Sequence, residues 1–303
     1  MSRFYGRKYA LAIKTYRDQA IIFDKNVRFT FRCEKRMDRA YQFAEITIYN
    51  LSPETETDIL QNGQLVVLEA GYEDGNYGLV FQGFIRQPIR GKEDGTTYFL
   101  KLICIDGDDA LNLGLCDFVL SNGQTAQQMA SEVARSSSIP FDVKISGDLS
   151  QQSTERAKVF FGEPKDFLRS LALNNNALFY FEDGIANITA LDQPPPSNVY
   201  DLNAQSGMIG FPSQTDQGIQ VKSLINTNFK INSWFHLNNK SVVLSQLEFG
   251  VPQTLLDLDG LYRIIGITAS GDTRGNDWYY DIDAISQAGA VPAMLGDSGF
   301  SGV

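Results

Sequence analysis

VRFTFRC at residues 27–33 and FAEITIY at residues 43–49 decide the fold. In the first, Val27, Phe29, Phe31 and Cys33 alternate with Arg28, Thr30 and Arg32, the period of two that turns one face of a strand to a core and the other to water. The second continues the pattern. Directly after it, Ser52 stands as an N-cap, Pro53 fits the first helical position, and acids follow through Asp58, so a short helix is expected over 53–61. Strands follow at 65–72 and 79–90, joined by the hairpin chemistry of EDGNYG at 73–78. KEDG at 92–95 repeats that device before TYFLKLICI at 97–105. Short strands at such regular spacing predict a closed or nearly closed β-barrel rather than an α/β sheet.

From Asp106 the texture changes. GQTAQQMASEVARS (123–136) sets Ala126, Met129, Ala130, Val133 and Ala134 at helical spacing, and PKDFLRSLALN (164–174) does the same with Phe167, Leu168, Leu171 and Ala172. ALFYF at 177–181, a turn at Glu182-Asp183-Gly184 and IANITAL at 185–191 read as a hairpin. Pro194, Pro195 and Pro196 stiffen the exit. Strand-like runs return at 207–211, 220–224, 228–231, 262–269 and 278–284, with GDTRGN (271–276) turning between the last two. The expected fold is therefore mainly β with an α+β insertion: β-barrels at 1–105 and 196–290 flank a small α+β domain at 106–195. The final stretch, 288–303, is rich in Gly, Ala and Ser and lacks periodicity, and residues 291–303 are expected to form a flexible tail.

With 303 residues, 43% of them hydrophobic and 20% charged, the chain can bury a large core without disulfides or metals. No apolar stretch approaches the roughly 18–20 residues that span a bilayer, and MSRFYGRKYALAIKTY does not read as a secretory signal. Synthesis and retention in a cytoplasm, with no membrane insertion, are expected. Cys33, Cys104 and Cys116 lack metal spacing and are expected as buried thiols. The net charge of −10 argues against general nucleic-acid binding. It is unevenly spread: residues 1–39 hold eleven Lys or Arg against four acids, +7, which leaves −17 for residues 40–303. A basic head on an acidic body suits contacts between copies, and a solvated face is the equal alternative.

No chemistry stands out. Asp106, Asp108 and Asp109 in DGDDALN resemble a fragment of a calcium loop but lack its Gly and closing Glu. Asp257 and Asp259, and Asp281 and Asp283, are pairs of the kind any sequence with 36 acids contains. Asp281 and Asp283 alternate with Ile282 and Ala284 as the wet face of a strand would. The single histidine, His236, has neither a GxSxG elbow nor a cysteine partner at a recognisable spacing, so a structural role is expected. Neither GxxxxGK[ST] nor GxGxxG occurs. Phe179, Tyr180, Phe181 and Trp278, Tyr279, Tyr280 could stack sugars or bases, but alternate members are expected in the core. The 278–280 run has one side facing out as an interface candidate. No catalytic, cofactor-binding or metal-binding residue is expected, and the chain is expected not to be an enzyme.

Two segments carry a family resemblance. FAEITIYNLS (43–52) looks like the strand leading into a short helix in the first barrel of phage tail-hub proteins. DFLRSLALNNNALFYFEDG (166–184) resembles the helix-then-strand signature of phage late-control D proteins and of the amino-terminal part of type VI secretion spike proteins. The resemblance implies a contractile-tail baseplate hub: a homotrimer whose subunits each contribute two tube-like barrels, making a pseudo-six-fold ring between the tail tube and the central spike. Its partners would be tail-tube subunits, other baseplate proteins and a trimeric spike. The sequence leaves no room for a β-helical needle, so the spike would be a separate chain. DNA would pass through the lumen without specific binding, repelled by the acidic body. The protein would sit in the virion after assembly in the host cytoplasm. The α+β domain is expected outside the ring, because Glu163, Lys165, Arg169, Glu182 and Asp183 would need water. A hexameric tail-tube adaptor or terminator, and a carbohydrate-binding or glycan-cleaving barrel, remain as alternatives.

Overall fold

A computed structural model describes residues 5–147, 149, 156–191, 199–215, 218–237 and 260–286. Asp257, Asp259, the three prolines and the expected tail at 291–303 lie outside these residues. The chain divides into two compact units, the first built on residues up to 35, on 42–106 and on 195–289, the second on 36–41 and 107–194.

The first unit is dominated by one sheet, antiparallel except where residues 200–202 meet residues 235–237. Its first part holds β1 (Arg7–Thr15), β2 (Ala20–Phe23), β3 (Phe29–Arg36), β4 (Gln42–Tyr49), β5 (Gly63–Tyr72), β6 (Tyr77–Lys92) and β7 (Tyr98–Asp106), with α1 (Pro53–Asn62) between β4 and β5. Burial along β4 alternates without exception, with Ala44, Ile46 and Ile48 fully inside. At α1 the Ser52 hydroxyl accepts from the Thr55 N–H at 3.2 Å, and Pro53 occupies the first turn. Ser52→Ala is expected to cost about 1 kcal/mol, measured as a lower urea midpoint at unchanged slope.

In the chain's last third, β13 (Tyr200–Leu202), β14 (Met208–Thr215), β15 (Gly218–Leu224), β16 (Trp234–Leu237), β17 (Leu261–Asp272) and β18 (Trp278–Ser286) join the same sheet. The strand order is β14-β15-β18-β17-β3-β4-β7-β6-β5-β1-β2, with β16 paired to β17 and to β13 at the side. One continuous apolar core collects Leu11, Phe29, Ile46, Leu68 and Leu102 together with Val221, Phe235, Tyr262, Trp278 and Ile282. Residues 228–231, expected as a strand, form turns instead. The Phe229 N–H donates to the Asn226 carbonyl and the Ser233 N–H to the Lys230 carbonyl. Phe229 and Ile231 are buried all the same, so the alternation reported burial and not extension.

The second unit is α+β. β8 (Cys116–Leu120) pairs with β10 (Lys158–Gly162), and the hairpin β11 (Ala177–Glu182) and β12 (Ile185–Ala190) extends to β9 (Asp142–Ser146) through a parallel contact with β12. Helices α2 (Ala126–Ser136) and α3 (Pro164–Asn174) cover these strands with Met129, Val133, Leu168 and Leu171. A capping box at Thr125 and Gln128 starts α2. Residues 109–113 wind as a single π-helical turn. β11 is buried along its whole length, so Glu182, expected in water, is 8% exposed.

Candidate assembly surfaces

The candidate chemical groups do not converge. Asp106 closes β7 and is buried, while Asp108 accepts a hydrogen bond from the Asn112 side chain. Asp281 meets Lys222 at 3.5 Å, and Asp283 accepts from the Gln220 amide at 3.2 Å, both from the face of β18 opposite buried Ile282 and Ala284. Among the described residues no three His, Cys, Asp or Glu side chains gather as metal ligands. His236 Nδ1 lies 2.9 Å from Asp201 Oδ1, a bond between the paired exposed positions of β16 and β13. All three cysteines are buried. Burial pushes the Cys104 thiol up to about 12, and it raises Cys116 against the opposing hydrogen bonds of Ser136 and Ser137. Neither is poised as a nucleophile.

Two members of what the sequence grouped as a basic head, Arg7 and Arg28, are used inside the first unit. Arg7 donates to the carbonyls of Asp272, Gly275 and Asn276 at 3.2, 2.6 and 3.1 Å, and its guanidinium lies 5.3 Å from the Trp278 ring centroid. Arg28 binds the Asp272 carboxylate at 2.8 Å, and Arg274 donates to the Lys25 carbonyl at 2.7 Å. Phe29 and Thr273 exchange two further bonds, the Phe29 N–H to the Thr273 hydroxyl and the Thr273 N–H to the Phe29 carbonyl, each at 3.1 Å. The turn between β17 and β18 is thus gripped by the start of the chain. Beneath it, Tyr9, Phe29, Phe31 and Trp278 pack edge to face or tilted at 5.5–6.4 Å between centroids. A Cβ on Gly271 would stand 2.3 Å from the Phe31 ring, so only glycine admits this packing. Trp278 and Tyr280 are therefore core. Only Tyr279 of the expected interface run faces out, with Lys222 Nζ 4.0 Å from its ring centroid.

Among the described residues, β2 and β14 end the main run of the sheet, and β13 ends the short side branch through β16. β2 is regular and carries Ile22, 65% exposed. β14 is interrupted between Ile209 and Ser213, where Gly210 takes φ +69° and Phe211 stands 75% exposed before Pro212. A bulge and a proline on an edge both discourage strand addition.

The second unit has one apolar outer face of its own. On the β8–β10 ribbon, Phe118 and Phe160 face inward against Phe167. Val119, Val159 and Phe161 face outward at 67, 75 and 74% exposure, with Leu115 beside them. Water already covers these side chains, so Phe161→Ser is expected to change stability by less than about 0.5 kcal/mol. Thermal melts would show it, and a large loss would mean that Phe161 packs internally.

The fold has known counterparts, although no protein-family model and no curated sequence matches the chain. A 43 kDa tail protein of prophage MuSo2 from Shewanella oneidensis superposes with a TM-score of 0.61 at 12% identity, over 93% of this chain and 99% of that one. A tail protein from Neisseria meningitidis gives 0.53 at 12% identity, over 92% and 96%. A third, from E. coli, is a component of the type VI secretion system described as similar to the T4 bacteriophage tail proteins gp27 and gp5. It gives 0.55 at 12% identity, over 89% and 77%. The chain therefore has the fold of phage tail proteins and of a type VI secretion component.

Proposed function

We propose that the chain is a structural baseplate hub of a contractile phage tail, a homotrimer that joins the tail tube to a separate trimeric spike. The observation that carries the reading is the fold shared with the tail protein of prophage MuSo2 over 93% of this chain and 99% of that one. In this reading, residues 1–105 and 196–290 each supply one tube-like barrel, with 106–195 between them and 291–303 as a tail. The β3–β17 pairing and the Arg7–Asp272 clamp support it, because they hold two β segments side by side within one chain. Three such chains present six similar β segments to a six-fold tube and three-fold symmetry to a spike. The hub works by geometry and turns nothing over. Its acidic body lets DNA pass without gripping it, and it resides in the virion after assembly in the host cytoplasm. Light scattering or native mass spectrometry of the purified chain, with and without its spike protein, tests this. A mass near 101 kDa, three times 33.7 kDa, supports the hub. A hexamer would instead indicate a tube adaptor, and a persistent monomer that binds glycans a carbohydrate-binding barrel.

A further inference from the structure

The strands at the β2 end of the sheet are apolar on both faces. Residues 10–13 read ALAI, 20–23 AIIF and 65–68 LVVL. Such continuous runs belong to strands covered on both sides, whereas a sheet with one wet face alternates. The inward half of each run is accounted for, since Leu11, Ile13, Val66 and Leu68 are buried in the core. The other half is not. The register sets Ile22, Ala12 and Val67 in one row across β2, β1 and β5, and Ala20, Lys14, Leu65 and Phe84 in the next row, continuing to β6. Ile22, Ala12, Val67, Leu65 and Phe84 belong to neither core cluster. The result is a half-buried apolar face, with Ile22 exposed at the open edge of the sheet.

We propose that this face is covered by a second copy of the chain, through the β14 end of that copy's sheet. This inference rests on the ring reading above and names the surfaces that would close it. Three observations favour β14 as the occupant. It ends the same sheet on the opposite side, so joining β14 to β2 is a head-to-tail contact, the kind that closes rings. Its bulge presents Ile209 and Phe211 outward as apolar side chains, while the interruption and Pro212 keep β14 from adding as a hydrogen-bonded strand. Docking therefore goes through side chains onto the face beyond β2.

Charge agrees in sign. The row that starts at Ile209 continues through Lys222 to Asp281, and the neighbouring row carries Gln220 and Asp283, two acids against one lysine. Within β1 and β5 the outward charges are Lys8 and Lys14 against Glu69. The contact meets a net negative rim with a net positive one, which sets its register more than its strength.

Site-directed crosslinking tests the contact. Ile22→Cys and Phe211→Cys are both exposed positions, and the three native cysteines are buried, so a short bismaleimide reports the introduced thiols. A covalent dimer that forms when the two variants are mixed, and not with either alone, is the expected result. Phe211→Glu should also weaken self-association about ten- to hundred-fold, as loss of a central apolar anchor does, with the far-ultraviolet circular dichroism of the folded chain unchanged. Crosslinking within the Ile22→Cys variant alone would overturn the inference in favour of a two-fold contact. A trimer that forms without the mixed crosslink would overturn it and leave the ring standing, whereas a monomer under all conditions would overturn both.

Discussion

Trp278→Ala is expected to destabilise the protein by about 3–5 kcal/mol, the usual cost of emptying a large aromatic site. Trp278 is 2% exposed and stands where the two β segments of the first unit share a core. Its ring touches Tyr9 from β1 and Phe31 from β3, and Arg7 lies over it. The vacancy cannot be filled cheaply, because the wall on one side is the backbone at Gly271. Denaturant unfolding followed by Tyr and far-ultraviolet signals measures the loss. A cost below about 1 kcal/mol would be the figure for a surface position, and would mean that the aromatic cluster does not join the two segments.

Asp272→Asn is the second large effect, and it depends on pH. Burial alone would raise the Asp272 pKa, but hydrogen bonds from Arg28 and from the backbone N–H groups of Arg274 and Gly275 outweigh it and hold the carboxyl below its ordinary 3.8. A carboxyl with a lowered folded pKa stabilises fully above its unfolded pKa, and the contribution disappears as pH falls through the folded value. At pH 7 the substitution is expected to cost about 1–3 kcal/mol, since it leaves the Arg28 side and the turn amides with a weaker acceptor. The gap between wild type and variant should stay constant down to about pH 5 and shrink below about pH 4. A gap of unchanged size throughout the acid range would show that shape, not charge, holds the turn.

The parts of this fold that can be read from the chain are those fixed by neighbours in sequence. FAEITIY became β4 with the expected alternation, and Ser52-Pro53 became the start of α1. Both helices of the second unit fall on their periodic stretches. The mainly β fold with an α+β insertion follows from these. What stayed hidden was set by distant partners. β1 and β2 gave little strand signal because Ala10 and Ala12 of β1 and Ala20 and Ile22 of β2 are apolar as well as their inward neighbours, which erases the alternation that marks a half-wet strand over the middle of each. CDFVL and KVFFG, which became β8 and β10, are five-residue runs with the same defect. The basic head looked like a surface feature because Arg28 and Asp272 are 244 positions apart and nothing local announces their bond. Likewise the 278–280 run could not reveal that Trp278 faces Phe31 until β17 was placed beside β3.

The proposed hub requires three copies to make a ring with six similar lobes. Electron cryo-microscopy of the purified assembly, viewed down its axis and averaged without imposed symmetry, tests it most directly. A trimeric hub would show six inner lobes related by three-fold symmetry, with three further densities for the α+β units. True six-fold symmetry with one lobe per chain, or particles with no ring at all, would contradict it.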